Sequence, residues 1–373
     1  MRIAFYPSCR PLHHDRSSGL VSIARDLHNA MQGEGHEVCL PATQSMEWIY
    51  LRPHQWPNTL RQAREADRLL RDKRPDCWLT YHTYYRGPDL LGPTLAGRHK
   101  IPYFILAASY ATKYRKHLKT WLGFQLNQRA LLRADMIFVN KLRDVENLRR
   151  LLPAERITYI RPGIRTEAFP QEPALRLSMR HRLGLEDKQV VITAAMMRPG
   201  VKEEGIAFVI EACARLADTV KDLHLLIIGD GPGRTRLEEL ARRCLANRHT
   251  FVGRIAAEEM FRYYHAGDLF AFPGINESLG MVYLEAQCCG LPVVATSHDG
   301  APEVVADQET GLIVPPFSIT DFGGALLTLL NDVDLRSRMA RQARRRVLAK
   351  HDMADNYRTL FQGMEKICSR RRS

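Results

Sequence analysis

The sequence lacks the features that define several classes of protein. No apolar run approaches the roughly 20 residues that a membrane-spanning helix needs. The apolar start, Met1–Tyr6, is too short for a signal peptide and predicts a first strand instead. The eight cysteines form no C-x-x-C pair, which argues against a zinc cage. We therefore expect a cytoplasmic protein with reduced, buried thiols.

Positive charge is in excess, and it is concentrated in one half of the chain. Residues 1–170 hold 27 lysines and arginines against 15 acidic residues, whereas residues 171–373 hold 27 against 26. A basic half predicts an anionic partner, such as a phospholipid or a phosphorylated glycan. No recognition motif supports specific binding of nucleic acid.

Short β-rich runs alternate with amphipathic helical stretches, which predicts an α/β protein with parallel sheets covered by helices. The 373 residues are enough for two such domains. Strands predicted in the first half are Arg2–Tyr6, Glu37–Leu40, Asp76–Tyr81, Tyr103–Ala107 and Met136–Val139. Those predicted in the second half are Gln189–Ala194, Leu223–Ile228, Thr250–Val252, Leu269–Phe272, Pro292–Ala295 and Gly311–Val314. Prolines and a glycine within residues 159–173 indicate a linker between the halves.

The strongest pattern for chemistry is Pro273–Ala286, which follows the predicted strand Leu269–Phe272 and leads into a helix. Glu277 precedes that helix, and Ser278 is placed to cap it. Glu285 lies eight residues beyond Glu277, or about 12 Å along a helix. Acidic residues are common at helix starts, so the pair alone is weak evidence.

The start of this helix suits a diphosphate. Gly280 allows a ligand to approach the first turn closely. The amides near Gly280, Met281 and Val282 are expected to be free donors at the positive end of the helix. Carboxylates at the two ends, Glu277 and Glu285, would accept hydrogen bonds from sugar hydroxyls. The spacing thus fits a sugar and a ribose joined by a diphosphate.

Three further motifs follow: Gly290–Thr296, Gly300–Val305 and Gly311–Val314. With the E-x7-E spacing they make this region resemble the nucleotide-binding half of family 4 (group 1) glycosyltransferases, which have the GT-B fold. The resemblance is strongest over residues 190–315. It implies two Rossmann-like, doubly wound domains facing across a cleft: an acceptor-binding domain over 1–168, a donor-binding domain over 169–352, and a C-terminal helix over 353–373 that packs back on the first domain.

The resemblance also implies roles for single residues. Glu285 would hold the donor ribose, Glu277 would contact the donor sugar, and the segment from Ser278 through Leu279 to Val282 would contact the donor. Arg198 and Lys202 follow the strand Gln189–Ala194 and would neutralise the departing diphosphate. With Glu277 they are the predicted catalytic residues, although two solvated loop cations are the ordinary alternative. Gly19 and Arg254 complete the predicted donor site.

The acceptor side is less well defined, because Ala108 stands where many relatives carry a histidine. The candidates near it are Ser109 and Tyr110, with His82 at the end of the third strand and His13 in the loop after the first. For both histidines an ordinary structural or solvated role is an equal alternative.

Residues 110–124 interleave four cations, Lys113 and Arg115 among them, with aromatic and apolar side chains. This composition suits an anionic membrane surface or an anionic glycan, or an amphipathic helix with a solvated face. We name residues 110–124 the basic-apolar segment.

Two patterns are not assigned to chemistry. Asp332 and Asp334 form a D-x-D, but it lies between two predicted helices and indicates capping, so we predict no metal. Residues 229–233 fail the dinucleotide fingerprint because Pro232 lies within it, and they predict a tight turn.

The sequence therefore predicts a retaining glycosyltransferase that needs no cofactor. Its donor would be a nucleotide-diphosphate sugar, and its acceptor an anionic glycan or lipid-linked glycan in bacterial surface polysaccharide or lipopolysaccharide synthesis, at the inner face of the cytoplasmic membrane. The alternatives are another GT-B enzyme, namely a sugar phosphorylase or nucleotide-sugar epimerase, and a non-catalytic nucleotide-binding adaptor.

Overall fold

The structure is a computed structural model that describes residues 1–12, 19–275, 279–298 and 300–372. The chain forms two compact units. Unit 1 comprises Met1–Arg161 and Ala354–Ser373, and unit 2 comprises Pro162–Met353. Three predicted site residues, His13, Glu277 and Ser278, lie outside the described residues.

Unit 1 is built on a parallel sheet of six strands. The strands are β1 (Arg2–Pro7), β2 (Glu37–Cys39), β3 (Cys77–Thr83), β4 (Tyr103–Ala108), β5 (Met136–Val139) and β6 (Ile157–Tyr159). They lie in the order β2-β1-β3-β4-β5-β6. The helices are α1 (Gly19–Gly33), α2 (Trp56–Lys73), α3 (Gly92–His99), α4 (Leu118–Arg133) and α5 (Leu142–Leu148).

Both faces of this sheet are buried, as expected of a parallel sheet. Successive residues of a strand face opposite sides. Ala4 and Tyr6 accordingly pack in one apolar cluster, and Ile3 and Phe5 pack in another. The second cluster includes four buried residues of the last helix of the chain, α14 (Met353–Arg372), namely Leu360, Phe361, Met364 and Cys368. Helix α14 therefore forms part of one helical layer of unit 1.

Unit 2 repeats the architecture. Its strands are β7 (Gln189–Ala194), β8 (Leu223–Ile228), β9 (His249–Gly253), β10 (Leu269–Ala271), β11 (Val293–Thr296) and β12 (Gly311–Val314). They lie in the order β12-β11-β10-β7-β8-β9, all parallel. The helices are α6 (Pro173–Leu183), α7 (Val201–Leu216), α8 (Arg234–Leu245), α9 (Met260–His265), α10 (Met281–Cys288), α11 (Ala301–Val304), α12 (Ile319–Asn331) and α13 (Val333–Lys350).

The predicted fold class, α/β with two doubly wound parallel sheets, is confirmed. Strand β6 was not predicted, because its three residues are only half-buried and are followed directly by the predicted linker. The capping role of the D-x-D is confirmed for Asp332, whose carboxylate accepts a hydrogen bond from the Leu335 amide at 2.8 Å.

Candidate functional site

The carboxyl end of β10 lies at the centre of the unit 2 sheet, and Tyr283 fixes the loop that leaves it. The Tyr283 side chain is fully buried, and its hydroxyl donates to the Phe272 carbonyl at 2.9 Å. Gly274 and Gly280 both have positive φ, 69° and 62°, and both lie against the Tyr283 ring. A loop that must turn closely around a buried aromatic ring needs glycine at such positions.

Helix α10 begins at Met281, with Gly280 in the N-cap position. The left-handed backbone of Gly280 precedes the first helical residue, and Ser278, the predicted cap, lies outside the described residues. The Tyr283 amide bonds the Gly280 carbonyl at 2.9 Å. The amides of Met281 and Val282 have no backbone acceptor among the described residues outside the helix, and they lie at the positive end of the helix.

Glu285 lies in the second turn of the same helix. Its carboxylate accepts a hydrogen bond from the Tyr264 hydroxyl at 2.9 Å, and Tyr264 itself is fully buried in α9. Burial raises the pKa of Glu285 to about 7, and the Tyr264 hydrogen bond only partly opposes this shift. A carboxylate in such surroundings gains from a ligand that donates hydrogen bonds to it.

Lys202 lies next to the ring of Phe272. It is the second residue of α7, and its ammonium lies 5.5 Å from the centroid of the Phe272 ring. Burial, and then the charge of Arg198, lower the pKa of Lys202 to about 8. An anion next to Lys202 would raise its pKa again, because the anion compensates for the lost hydration and for the repulsion from Arg198.

The loop that carries Arg198 is held by the turn that follows β8. The Met197 amide bonds the Asp230 carbonyl at 3.0 Å, and the Gly233 amide bonds the Met197 carbonyl at 2.9 Å. Gly229 and Gly231 have φ of 136° and 153°. The tight turn predicted for residues 229–233 is thus confirmed, and it fixes the backbone of an exposed Arg198.

The other predicted donor residues are more dispersed. Arg254 is exposed directly after β9, at the edge of the sheet, and three strands away from β10 in the sheet order. Leu279 immediately precedes Gly280 and is half-buried. Gly19 begins α1 in unit 1.

In unit 1, two residues at the carboxyl edge of the sheet have unusual backbones. His82 in β3 and Ala107 in β4 both have φ of 62°, which is rare for residues with a β-carbon. Burial lowers the pKa of the His82 imidazole to about 4, so this side chain is neutral at pH 7. Ala108, at the position where relatives carry histidine, is fully buried.

The remaining acceptor-side candidates fall into two groups. The Tyr110 ring packs against Phe124 with centroids 5.4 Å apart, in the apolar core, whereas Ser109 is half-buried. Lys113 and Arg115 are exposed, and the Lys113 ammonium lies 5.3 Å from the centroid of the Tyr114 ring. The structure thus places Tyr110 in packing and the two cations on the surface.

Two family models match this chain. The model for glycosyl transferases group 1 matches residues 179–346, and the model for the glycosyl transferase 4-like domain matches residues 18–163. The chain belongs to the group 1 glycosyltransferases. The first matched segment lies within unit 2, and the second lies in unit 1 except for its last two residues.

Curated relatives of this group 1 chain match over a part of their length. Alpha-D-kanosaminyltransferase of Streptomyces kanamyceticus is 32% identical over 59% of this chain and 57% of its own length. GDP-mannose-dependent alpha-(1-6)-phosphatidylinositol monomannoside mannosyltransferase of Mycolicibacterium smegmatis is 34% identical over 57% of this chain and 55% of its own length. The chain thus matches little more than half the length of these relatives.

Solved structures match almost the whole chain. HepE of Anabaena, in complex with UDP, has a TM-score of 0.78 at 17% identity, over 98% of this chain and 100% of its own. Sucrose-phosphate synthase of Thermosynechococcus elongatus has a TM-score of 0.76 at 20% identity, over 99% of both chains. The GT-B fold that the resemblance implied is therefore confirmed for this group 1 chain.

Sequence reasoning missed the two tyrosines that position this site. No role was predicted for Tyr283, although its side chain contacts Gly274, Gly280 and the carbonyl of Phe272. Tyr264 is 21 residues from Glu285, and no motif links the two. The only available signal was the tyrosine pair Tyr263–Tyr264 in a short helix that precedes β10.

We predict that Gly280→Ala destabilises the protein by about 1–3 kcal/mol, because it combines backbone strain with a steric clash. A β-carbon at Gly280 would lie 2.5 Å from Cδ2 of the buried Tyr283. The matched control is Gly324→Ala in α12, where no atom lies within 4 Å of the new β-carbon and alanine should stabilise the helix by about 0.5–1 kcal/mol. Equilibrium denaturation measures both changes. Equal effects of the two substitutions would contradict the prediction.

Proposed function

We propose that this chain transfers a sugar from a nucleoside-diphosphate donor to an acceptor, with unit 2 binding the donor and unit 1 the acceptor. The observation that carries the proposal is the convergence of donor-binding groups on Phe272. Its ring contacts Lys202, and its carbonyl bonds Tyr283 of helix α10, whose first amides lie at its positive end. A cation and a helix start beside the same residue form a natural site for a diphosphate.

The remaining parts of the donor would extend from this diphosphate site. We propose that Glu285 accepts hydrogen bonds from the ribose hydroxyls, and that Glu277 contacts the donor sugar. Arg198 and Lys202 would neutralise the charge that develops on the departing diphosphate, which is the main electrostatic demand of the reaction. Arg254, Leu279 and Gly19 remain proposed donor contacts.

We propose that transfer proceeds with retention and needs no cofactor. The departing diphosphate would accept the proton of the acceptor hydroxyl, so the reaction would require no protein base at the position of Ala108. His82 is a candidate to orient the acceptor, because its neutral imidazole can donate or accept a hydrogen bond. The phosphorylase, epimerase and adaptor alternatives have no observation in their favour.

The acceptor is proposed to be a glycan or lipid-linked glycan of the bacterial surface. The mycolicibacterial relative is named for phosphatidylinositol monomannoside, and unit 1 holds an exposed surface that suits a lipid headgroup region. None of the helices in the described part of the chain is long and apolar enough to cross a membrane. We propose peripheral contact with the inner face of the cytoplasmic membrane.

The basic-apolar segment carries this proposal. Leu118 is 95% exposed and Trp121 is 46% exposed, and all four cations of the segment are exposed beside them. Exposed apolar side chains surrounded by cations are typical of surfaces that bind anionic membranes.

Leu118→Ala is expected to weaken binding to phosphatidylglycerol vesicles by about 10- to 60-fold, because it removes three carbons and each fully buried methylene contributes about 0.8 kcal/mol. Leu177→Ala is the matched control, since Leu177 is also exposed, at 75%, but lies in unit 2. Vesicle sedimentation measures both, and added salt should weaken binding further. Unchanged binding of the Leu118 variant would refute the membrane proposal.

The donor proposal is tested by a thermal-shift panel of UDP, GDP, ADP and their sugars, followed by assays of sugar release and transfer. One nucleotide class should raise the melting temperature, because a ligand that binds only the folded state stabilises it. Its sugar should then be turned over. A chain that no nucleotide stabilises, or one that binds a nucleotide without turnover of any donor, would contradict the proposed transfer.

A further inference from the structure

Unit 1 contains a second feature that the donor proposal does not use. Directly after β3 the chain runs Tyr84-Tyr85-Arg86, and these residues open a cavity of about 170 Å³. The other lining residues are Ser109, Ala111, Tyr114, Phe124 and Asn127. The volume is below the roughly 300 Å³ at which pockets for larger small molecules begin, so the cavity suits a single ring.

The walls of this cavity are aromatic and held rigidly. The Tyr85 and Tyr114 rings stack with centroids 3.6 Å apart and planes 20° apart. The Tyr84 ring meets Tyr85 edge-on at 5.5 Å, and the Trp48 ring meets it edge-on at 6.0 Å. Such mutual packing holds the aromatic side chains that line the cavity in fixed positions, which makes the cavity preorganised.

Among the residues that the structure describes, Arg86 is the one charged residue that lines the cavity. Its Nε donates to the Tyr85 hydroxyl at 2.7 Å, and its guanidinium carbon lies 5.4 Å from the ring centroids of both Trp48 and Tyr85. Arg86 is exposed, and among the described residues it forms no ion pair. The aromatic rings thus orient a guanidinium whose terminal nitrogens have no acidic partner in the described chain.

The polar part of the lining is satisfied internally, which keeps it in place. Asn127 is 2% exposed, donates to the Ser109 carbonyl at 2.9 Å and accepts from the Thr83 hydroxyl at 2.8 Å. One carboxylate lies nearby, because Glu47 accepts from the Tyr84 hydroxyl at 3.5 Å. Glu47 is not among the residues that line the cavity.

Two residues next to this cavity have left-handed backbone conformations. Trp48 has φ of 59° and His82 has φ of 62°. Arg74 and Lys100 share this conformation, but they end helices, where it is common. The Trp48 amide donates to the Arg86 carbonyl at 2.6 Å, so the strained residue is tied to the cavity itself. Such strain persists where the surrounding structure enforces it, and it is concentrated at ligand sites.

We propose that this cavity binds an anionic sugar ring, one that carries a carboxylate or a phosphate. The aromatic walls would pack against the apolar face of the ring, and the forked donors of Arg86 would bind the anionic group in a bidentate manner. This inference rests on the proposed function, because the sugar would belong to the acceptor. It adds the chemical class of that acceptor and a set of residues that the donor site does not share.

The test is a calorimetric titration of the full chain, in the presence of a saturating nucleoside diphosphate, with glucuronate, glucose 6-phosphate, glucose and inorganic phosphate. Both anionic sugars should bind roughly tenfold more tightly than glucose or phosphate, as expected for one charge-assisted contact added to ring packing. Arg86→Gln should reduce the affinity for both anionic sugars to the affinity for glucose. Tyr114→Leu should weaken all the sugars several-fold.

The matched control is Arg129→Gln on the exposed side of α4, which removes the same charge from unit 1 and should leave every affinity unchanged. Circular dichroism and thermal unfolding of each variant report whether unit 1, which carries the substitutions, is folded, and nucleoside-diphosphate binding reports the same for unit 2. Equal affinities for glucuronate and glucose would contradict the claim that the ligand is anionic. Equal affinities for phosphate and glucose 6-phosphate would contradict the claim that the ligand is a sugar. Unchanged affinity in Arg86→Gln would overturn the site, while intact donor binding and turnover in the same sample would leave the proposed function standing.

Discussion

Glu285→Gln is expected to stabilise the protein above pH 7 and, at the same time, to lower transfer from the nucleotide sugar by about 10- to 100-fold. Burial raises the pKa of this carboxyl to about 7, so at pH 8 the folded protein holds a charge in unfavourable surroundings. Glutamine removes the charge and retains an oxygen that can accept the Tyr264 hydrogen bond. The loss of activity follows because the ribose hydroxyls would lose a charged acceptor, which contributes about 1.5–3 kcal/mol.

The pH dependence of this effect has a definite sign. Between the ordinary pKa of a glutamate and pH 7, the unfolded chain holds fewer protons at this position than the folded chain. The contribution of Glu285 to the free energy of unfolding is therefore fully present at low pH and is lost as pH rises through 7. We expect Glu285→Gln to gain about 2 kcal/mol over the native protein at pH 8 and nothing at pH 4.

Denaturation at the two pH values and a transfer assay measure the two effects. Glu239→Gln is the matched control, because Glu239 is exposed on α8 and its loss should change stability by less than about 0.5 kcal/mol. A Glu285→Gln variant that is less stable at pH 8, or one that retains full transfer, would show that this carboxylate has a structural role instead.

The second large effect is expected for Lys202→Met, which should lower kcat about 100- to 1000-fold, as the loss of one preorganised charge at a reaction centre does. Methionine preserves the unbranched side chain over the Phe272 ring but removes the ammonium. Lys221→Met, at an exposed position in unit 2, is the matched control and should leave kcat unchanged. Native turnover in Lys202→Met would refute the proposed role.

Lys202 also predicts how donor affinity depends on pH. Its pKa is lowered to about 8, so the free protein loses this charge as pH rises above 8. Glu285 gains its charge as pH rises through 7. Nucleoside-diphosphate affinity should therefore be greatest between about pH 7 and 8 and fall on both sides. Lys202→Met should abolish the fall at high pH, and Glu285→Gln the fall at low pH; titration calorimetry at several pH values measures both.

Most of the fold could be predicted because burial on both faces leaves a clear pattern in parallel strands. Leu223–Ile228 was predicted with its full bounds because every residue in it is buried. Ile157–Tyr159 was missed because an edge strand of three half-buried residues has neither length nor periodicity to mark it. The start of α10 was predicted too early in the chain. Capping preferences favour serine over glycine, and they do not reveal that Gly280 adopts the left-handed conformation that precedes the helix.

The parts of the site that lie within one sequence motif could be predicted, whereas contacts between residues far apart in the sequence could not. The amides of Met281 and Val282 belong to one motif, so sequence alone indicated them. The hydrogen bond from Tyr264 to Glu285 joins two helices, and the stack of Tyr85 on Tyr114 joins the segments that follow β3 and β4. Neither pair has a characteristic spacing, because its geometry depends on how the sheet brings strand ends together.

The most direct test of the donor site is a crystal structure of the chain with the nucleoside-diphosphate sugar that stabilises it most. We predict the ribose within hydrogen-bond distance of the Glu285 carboxylate, the diphosphate at the amides of Met281 and Val282, and the Lys202 ammonium on a phosphate oxygen. A nucleotide bound away from α10, or one whose diphosphate contacts neither these amides nor Lys202, would contradict the central claim.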